Sequence, residues 1–152
     1  MTDPEDPEYL EYLRSLNLTE LLALERDRPD DVDLLIRIGG AFIKLRQLDK
    51  CIEYYVRALK IDPFNGWTHL YFGSLGYGLK CYDEAIKHFE YAADFLPDSA
   101  YPQWYLGDTY RVKGNFARAD FHYQKAVEND PADLKARQKL EDWLHAKQGG
   151  RD

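Results

Sequence analysis

Apolar positions along this chain fall in short stretches at helical spacing, parted by joints rich in proline, glycine and polar residues. Near the end, Ala136, Leu140, Trp143 and Leu144 form one stripe, and the opposite face is charged. The same reading predicts paired helices along the chain. The first helix of each pair covers Asp31–Leu45, Gly66–Leu79 and Ser99–Lys113. The second covers Leu48–Lys60, Tyr82–Phe95 and Phe116–Glu128. Two-residue turns join the partners (Arg46-Gln47, Lys80-Cys81, Gly114-Asn115), and turns this short make neighbours antiparallel. Two more helices precede the pairs, Glu8–Leu16 and Thr19–Asp27, and Ala132–Lys147 closes the chain. Asp30, Asp31, Asp98, Ser99 and Asp133 stand where helices restart, as N-caps do.

The pairs repeat. Pro29, Pro63, Pro97 and Pro131 are spaced by 34 residues. Gly39, Gly73 and Gly107 share that spacing, as do Tyr55, Phe89 and Tyr123, and Ala58, Ala92 and Ala126. Cys51, Ala85 and Ala119 make another column. Small residues in register let two helices approach closely, and the ring column fills the space beside them. The middle pair departs from the pattern: Gly76 stands where Phe42 and Tyr110 stand in the others. With Gly73 and Gly78 on the same helix, and each interior glycine costing about 1 kcal/mol, a softer helix is expected. A ring such as Tyr77 is expected to fill the gap.

The third unit reads Leu106-Gly107-x2-Tyr110, Ala119-x3-Tyr123, Pro131, and the first reads Ile38-Gly39-x2-Phe42, Cys51-x3-Tyr55, Pro63. The second keeps Phe72-Gly73, Ala85-x3-Phe89 and Pro97. This resembles the tetratricopeptide repeat family. The resemblance implies an all-α fold, a right-handed α-solenoid of three helix–turn–helix repeats with N-terminal helices and a C-terminal capping helix. It divides the chain into a disordered acidic start (1–7), a helical extension (8–28), a repeat domain (29–147) and a flexible tail (148–152). The repeats are 32–65, 66–99 and 100–133, with the cap at 132–147. The family's first Trp column holds Leu35, His69 and Gln103 here, and Trp104, one residue on, is expected to turn out of the core.

The resemblance also implies that the first helix of each pair lines a concave groove. The groove columns are then Asp33, Ile36, Gly40, Ile43 and Lys44; Trp67, Leu70, Ser74, Tyr77 and Gly78; and Tyr101, Trp104, Asp108, Arg111 and Val112. Tyr71 and Tyr105 lie at its edge. Such a surface suits an extended peptide with apolar or aromatic anchors. Chaperone-binding members hold carboxylates with Lys, Asn and Arg, but Ile36, Gly40, Tyr71, Tyr101 and Tyr105 occupy the corresponding places, so chaperone tails are not expected ligands.

Composition narrows the picture. With 20 basic against 27 acidic residues the net charge is −7, which disfavours a nucleic-acid backbone as partner. No apolar run is long enough to span a membrane, and the acidic, proline-broken start lacks the form of a signal peptide, so the cytoplasm is expected. Asn17-Leu18-Thr19 fits a glycosylation sequon but is read as a helix cap. Cys51 is expected to be buried and inert, Cys81 accessible in a turn. His88 and His122 are expected near each other on successive helices, as surface or edge residues, and His69 as a half-buried ring. Two histidines do not complete a zinc site, and no metal or other cofactor is expected. Gly73-x2-Gly76-x-Gly78 follows no strand, so a phosphate loop is excluded. No nucleophile–base pair or cofactor fingerprint appears, so no enzyme is expected.

The sequence therefore points to an interaction scaffold with a protein or peptide partner. Two rivals remain: a secretion-type chaperone dimerising through Tyr9–Leu24, and an assembly subunit using an outer face with Tyr54, Tyr91 and His88.

Overall fold

The computed structural model describes residues 6–149. Those residues form nine α-helices and no strand, an all-α helical-repeat fold of the solenoid class. The helices are α1 (Pro7–Ser15), α2 (Leu18–Asp27), α3 (Val32–Lys44), α4 (Leu48–Ile61), α5 (Gly66–Gly78), α6 (Tyr82–Phe95), α7 (Ala100–Val112), α8 (Phe116–Asn129) and α9 (Leu134–Gly149). Two compact units divide between Thr68 and His69. Helix α1 begins at Pro7 and α9 runs on to Gly149, into stretches expected to be irregular. The rest of the acidic start (1–5) and of the tail (150–152) lies outside the described residues.

Helix starts follow a single column. Asp31 accepts the Leu34 amide (3.0 Å), Asn65 the Thr68 amide (2.9 Å), Ser99 the Tyr101 amide (3.3 Å) and Asp133 the Ala136 amide (2.9 Å). Each side chain satisfies an N–H that the first helical turn leaves without an intrahelical acceptor. Asn17 caps α2 in a full capping box with Glu20, the role its sequon-like context suggested. Helix ends follow another column. Arg46 (φ 58°), Lys80 (φ 61°) and Gly114 (φ 76°) adopt the left-handed conformation. The next residue's N–H then reaches back into the helix, from Gln47 to Phe42, Cys81 to Gly76 and Asn115 to Tyr110.

Within each pair the glycine column meets the ring column. A Cβ on Gly39 would lie 2.5 Å from the Tyr55 ring, one on Gly73 2.6 Å from Phe89, and one on Gly107 2.7 Å from Tyr123. Those contacts leave no room for alanine.

In the first unit the N-terminal helices are spent on their own neighbours. Tyr9, Leu13 and Leu21 are buried, and the Tyr9 hydroxyl donates to Asp31. Arg37 of α3 donates to the Leu13 (3.3 Å) and Arg14 (3.0 Å) carbonyls, which α1 leaves open at its end. Arg57 and Tyr54 of α4 both donate to Glu25 of α2 (2.5 and 2.8 Å).

In the second unit, Phe89, Leu106, Tyr110, Tyr123 and Trp143 form the core with small residues at Ala85, Ala92, Ala119, Ala126 and Ala136. Trp143 of α9 donates to Asp120, which also pairs with Lys147.

Candidate functional site

Exposure sorts the expected binding residues. Ile36, Leu70 and Trp104, one column at 34-residue spacing, are all buried. Trp104 is only 3% exposed, which corrects the expectation that it turns outward. It sits about 100° around the helix from the core column, yet α7 is covered by α9 as well as by α8 and α6. Lys139 and Lys135 of α9 place their ammonium groups 4.6 and 4.9 Å from the indole centroid. Tyr105 stacks on that ring at 3.9 Å and on Phe89 at 4.9 Å. The Trp104 Nε1 is buried without a hydrogen-bond partner.

The exposed rings are Tyr71 (44%) and Tyr101 (40%) in the second unit and Trp67 (40%) in the first. Ile43 and Lys44 are exposed on α3. Ser74 and Tyr77 are half-buried on α5, as are Tyr105 and Asp108 on α7, while Arg111 is exposed. Of the remaining expected columns, Asp33 and Gly40 are half-buried and Gly78 and Val112 exposed.

The polar members are engaged in structure. Asp108 accepts from the Tyr123 hydroxyl (2.6 Å) and pairs with Lys139, and Arg111 donates to the Tyr123 oxygen (3.3 Å). Burial, and then the Asp108 carboxylate, push the Tyr123 phenol above its ordinary value. Tyr77 is raised too, first by burial and then by the Asp108 charge.

The gap at Gly76 is closed otherwise than expected. Phe42 stacks on Tyr54 (5.6 Å) and Tyr110 on His122 (5.3 Å). His88 occupies the matching place on α6, and Phe72, one turn before Gly76 on the same face of α5, lies flat on it at 4.8 Å. Tyr77 instead packs edge-on to Tyr82 at 5.7 Å.

The histidines are correspondingly more buried than expected. His88 and His122 are half-buried, and each meets a residue of its own unit's preceding helix. The His69 and His88 Nδ1 atoms are 3.1 Å apart, and His122 Nδ1 donates to Gln103 Oε1 at 2.8 Å. Burial holds the His122 imidazole down at about 4, helped by the charges of Lys125 and Arg118. His88 is lowered by burial and then by His69.

Cys51 is buried, and burial raises its thiol out of the reactive range; Cys81 is exposed. Among the described residues no group of three or more His, Cys, Asp or Glu could hold a metal ion. No helix among them is long and apolar enough to cross a membrane.

Sequence reasoning missed several surface rings. Phe116, Phe121 and Phe64 are exposed, although nothing in the repeat columns marks them.

Comparison with known proteins places this geometry among relatives. Family models described as "Tetratricopeptide repeat" match residues 32–65 and 105–133. The chain is 24% identical to the mouse interferon-induced protein with tetratricopeptide repeats 2, over 71% of this chain and 27% of that one. It thus spans about a quarter of that curated relative's length. PilF of Pseudomonas aeruginosa superposes with a TM-score of 0.78 at 20% identity, covering 92% of this chain and 66% of PilF. YrrB, described as a TPR protein with an unusual peptide-binding site, superposes at 0.62 with 26% identity, covering 77% of this chain and 57% of YrrB.

Proposed function

Because the chain is a tetratricopeptide repeat protein, we propose that it is a non-enzymatic scaffold for protein–protein interaction, taking an extended partner segment on its repeat helices. The observation that carries this is the exposure of large rings on α5 and α7, Tyr71 and Tyr101, on helices whose other faces are filled. Tyr105 and Ser74 flank them in the second unit. Trp67, Ile43 and Lys44 are offered by the first unit. Ile36, Leu70 and Trp104 drop out because they are already buried. Asp108 and Arg111 act through the Tyr123 network that shapes the face. The peptide-binding site described for YrrB supports the reading. The unpaired thiols of Cys51 and Cys81 suit a reducing cytoplasm.

A ring left about 40% exposed offers roughly 60–100 Å² for further burial, or about 1.5–2.5 kcal/mol. Replacing Tyr71 or Tyr101 by Ala should therefore weaken a bound extended peptide about tenfold or more. An array of extended peptides with aromatic and aliphatic anchors, titrated against wild type and both variants, checks this. Identical affinities across the array for all three proteins would remove the reading.

The outer-face reading retains one specific support, since Tyr91 of α6 and Phe121 of α8 are both more than half exposed. Tyr54 and His88 are less available to it, being half-buried against Glu25 and Phe72.

A further inference from the structure

Helices α1 and α2 leave a hollow of about 380 Å³ beside their buried stripe. It is lined by Tyr12 and Leu16 of the α1 end and by Glu20, Ala23, Leu24 and Asp27 of α2. Positions 12 and 16 are one turn apart, and 20, 23, 24 and 27 follow one face of α2, so the hollow is a groove running along two helices. Its lining mixes the apolar Leu16, Ala23 and Leu24 and the ring of Tyr12, which is 50% exposed, with the carboxylates of Glu20 and Asp27, and no Lys or Arg lines it.

We infer that this groove docks an amphipathic helix of a partner protein, with apolar residues on one face and Lys or Arg beside them. A helix suits the lining, because the i, i+4 pairs 12/16, 20/24 and 23/27 form ridges with which the rows of another helix can interlock. The lined stretch of α2, from Glu20 to Asp27, gives a groove of about 11 Å, the length of two helical turns.

Charge selects among occupants. Glu25 is already paired with Arg57 and Glu11 with Arg14, which leaves Glu8, Glu20 and Asp27 on α1 and α2 against Arg26. A second copy pairing through the same hairpin would set carboxylate against carboxylate. The chain's own first five residues bring Asp3 and Glu5 and no basic side chain. A cationic amphipathic helix meets Glu20 and Asp27 with opposite charge and Tyr12, Leu16, Ala23 and Leu24 with its apolar face.

The test uses a labelled helical peptide of about 14 residues with leucines at i, i+3, i+4 and i+7 flanked by lysines, and its counterpart with glutamates. Both are titrated by fluorescence anisotropy against wild type, Ala23→Arg, Asp27→Lys and Tyr101→Ala. The circular dichroism of each variant establishes that it folds. Wild type and Tyr101→Ala should bind the lysine peptide alike, in a salt-sensitive manner. Ala23→Arg and Asp27→Lys should each bind it at least about tenfold more weakly, and the glutamate peptide should not bind. Absent binding of the lysine peptide, equal binding of both peptides, or full affinity in folded Ala23→Arg overturns the inference. So does a loss confined to Tyr101→Ala, which would place the peptide on the other face. A wild-type dimer in sedimentation that Ala23→Arg dissociates also overturns it, by showing that a second copy fills the groove.

Discussion

At the residue scale, the repeat is a short list of places where one side chain type fits. Gly107 is fixed by contact. A methyl there would press to 2.7 Å of the Tyr123 ring, whose hydroxyl is held by Asp108, so the ring cannot swing away cheaply. Gly107→Ala should cost about 1–3 kcal/mol, the usual range for overpacking, read as a lower urea midpoint. A drop of under a few tenths of a kcal/mol would mean the ring yields. Lys80 is the opposite case. It holds φ at 61° with a Cβ, where the matching residue of the last pair is Gly114 at 76°. Left-handed backbone costs a side-chain-bearing residue about 1–2 kcal/mol, and glycine's extra freedom when unfolded returns about half. Lys80→Gly should therefore stabilise by about 0.5–1 kcal/mol, and thermal unfolding of the variant should shift upward. Contacts of this kind were legible in the sequence, because each lies within one repeat: glycine against ring, cap against amide. Even so, Asn65 escaped notice as a cap, since it lacks the acidic or hydroxyl side chain of Asp31, Ser99 and Asp133. Phe72's substitution for the missing ring at Gly76 also escaped, because it needs the stacking partner His88 to be known.

At the element scale, what the sequence could not show is which side of a helix its neighbours cover. Periodicity gives one buried stripe. Helix α7 is packed against α8, α6 and α9, and Trp104 lies on the side that α9 covers. The same holds at the other end, where Arg37 looks like a surface charge in sequence and in fact closes the end of α1. Helix α9 is held by Ala136, Trp143 and the pairs Lys139–Asp108 and Lys147–Asp120. Trp143 supplies most of the apolar part and also donates to Asp120. Trp143→Ala should remove about 3–5 kcal/mol from the second unit. It should also loosen α9 from the Trp104 indole, so that the remaining tryptophan emission moves to the red. Unchanged emission, with a midpoint shift below about 0.5 kcal/mol, would show that α9 is not what covers Trp104.

At the scale of the whole molecule, the two units differ in one titratable chemistry. All four histidines lie in the second unit, and the first has none. His122 faces Gln103 and Tyr110 from α7 and carries Arg118 and Lys125 on its own helix; His88 faces His69 and Phe72 from α5. The His69–His88 contact needs one nitrogen to donate and the other to accept, so it does not survive with both rings protonated. Both His88 and His122 are held below the unfolded histidine value of 6.5, the latter at about 4, chiefly by burial. The folded second unit therefore refuses protons that its unfolded chain accepts. That stability is whole above pH of about 6.5 and drains as pH falls toward about 4, each histidine contributing at most about tenfold per pH unit in the folding equilibrium. The first unit, with only carboxylates to titrate in acid, should hold steady over most of that window. Hydrogen exchange at pH 7 and pH 5, corrected for intrinsic rates, should show protection falling in α6–α8 and persisting in α3–α4. His122→Gln should remove part of the fall, because an amide can keep a hydrogen bond to Gln103 without titrating. Equal loss in both units, or a His122→Gln profile identical to wild type, would mean that the buried imidazoles do not set the acid limit of this protein.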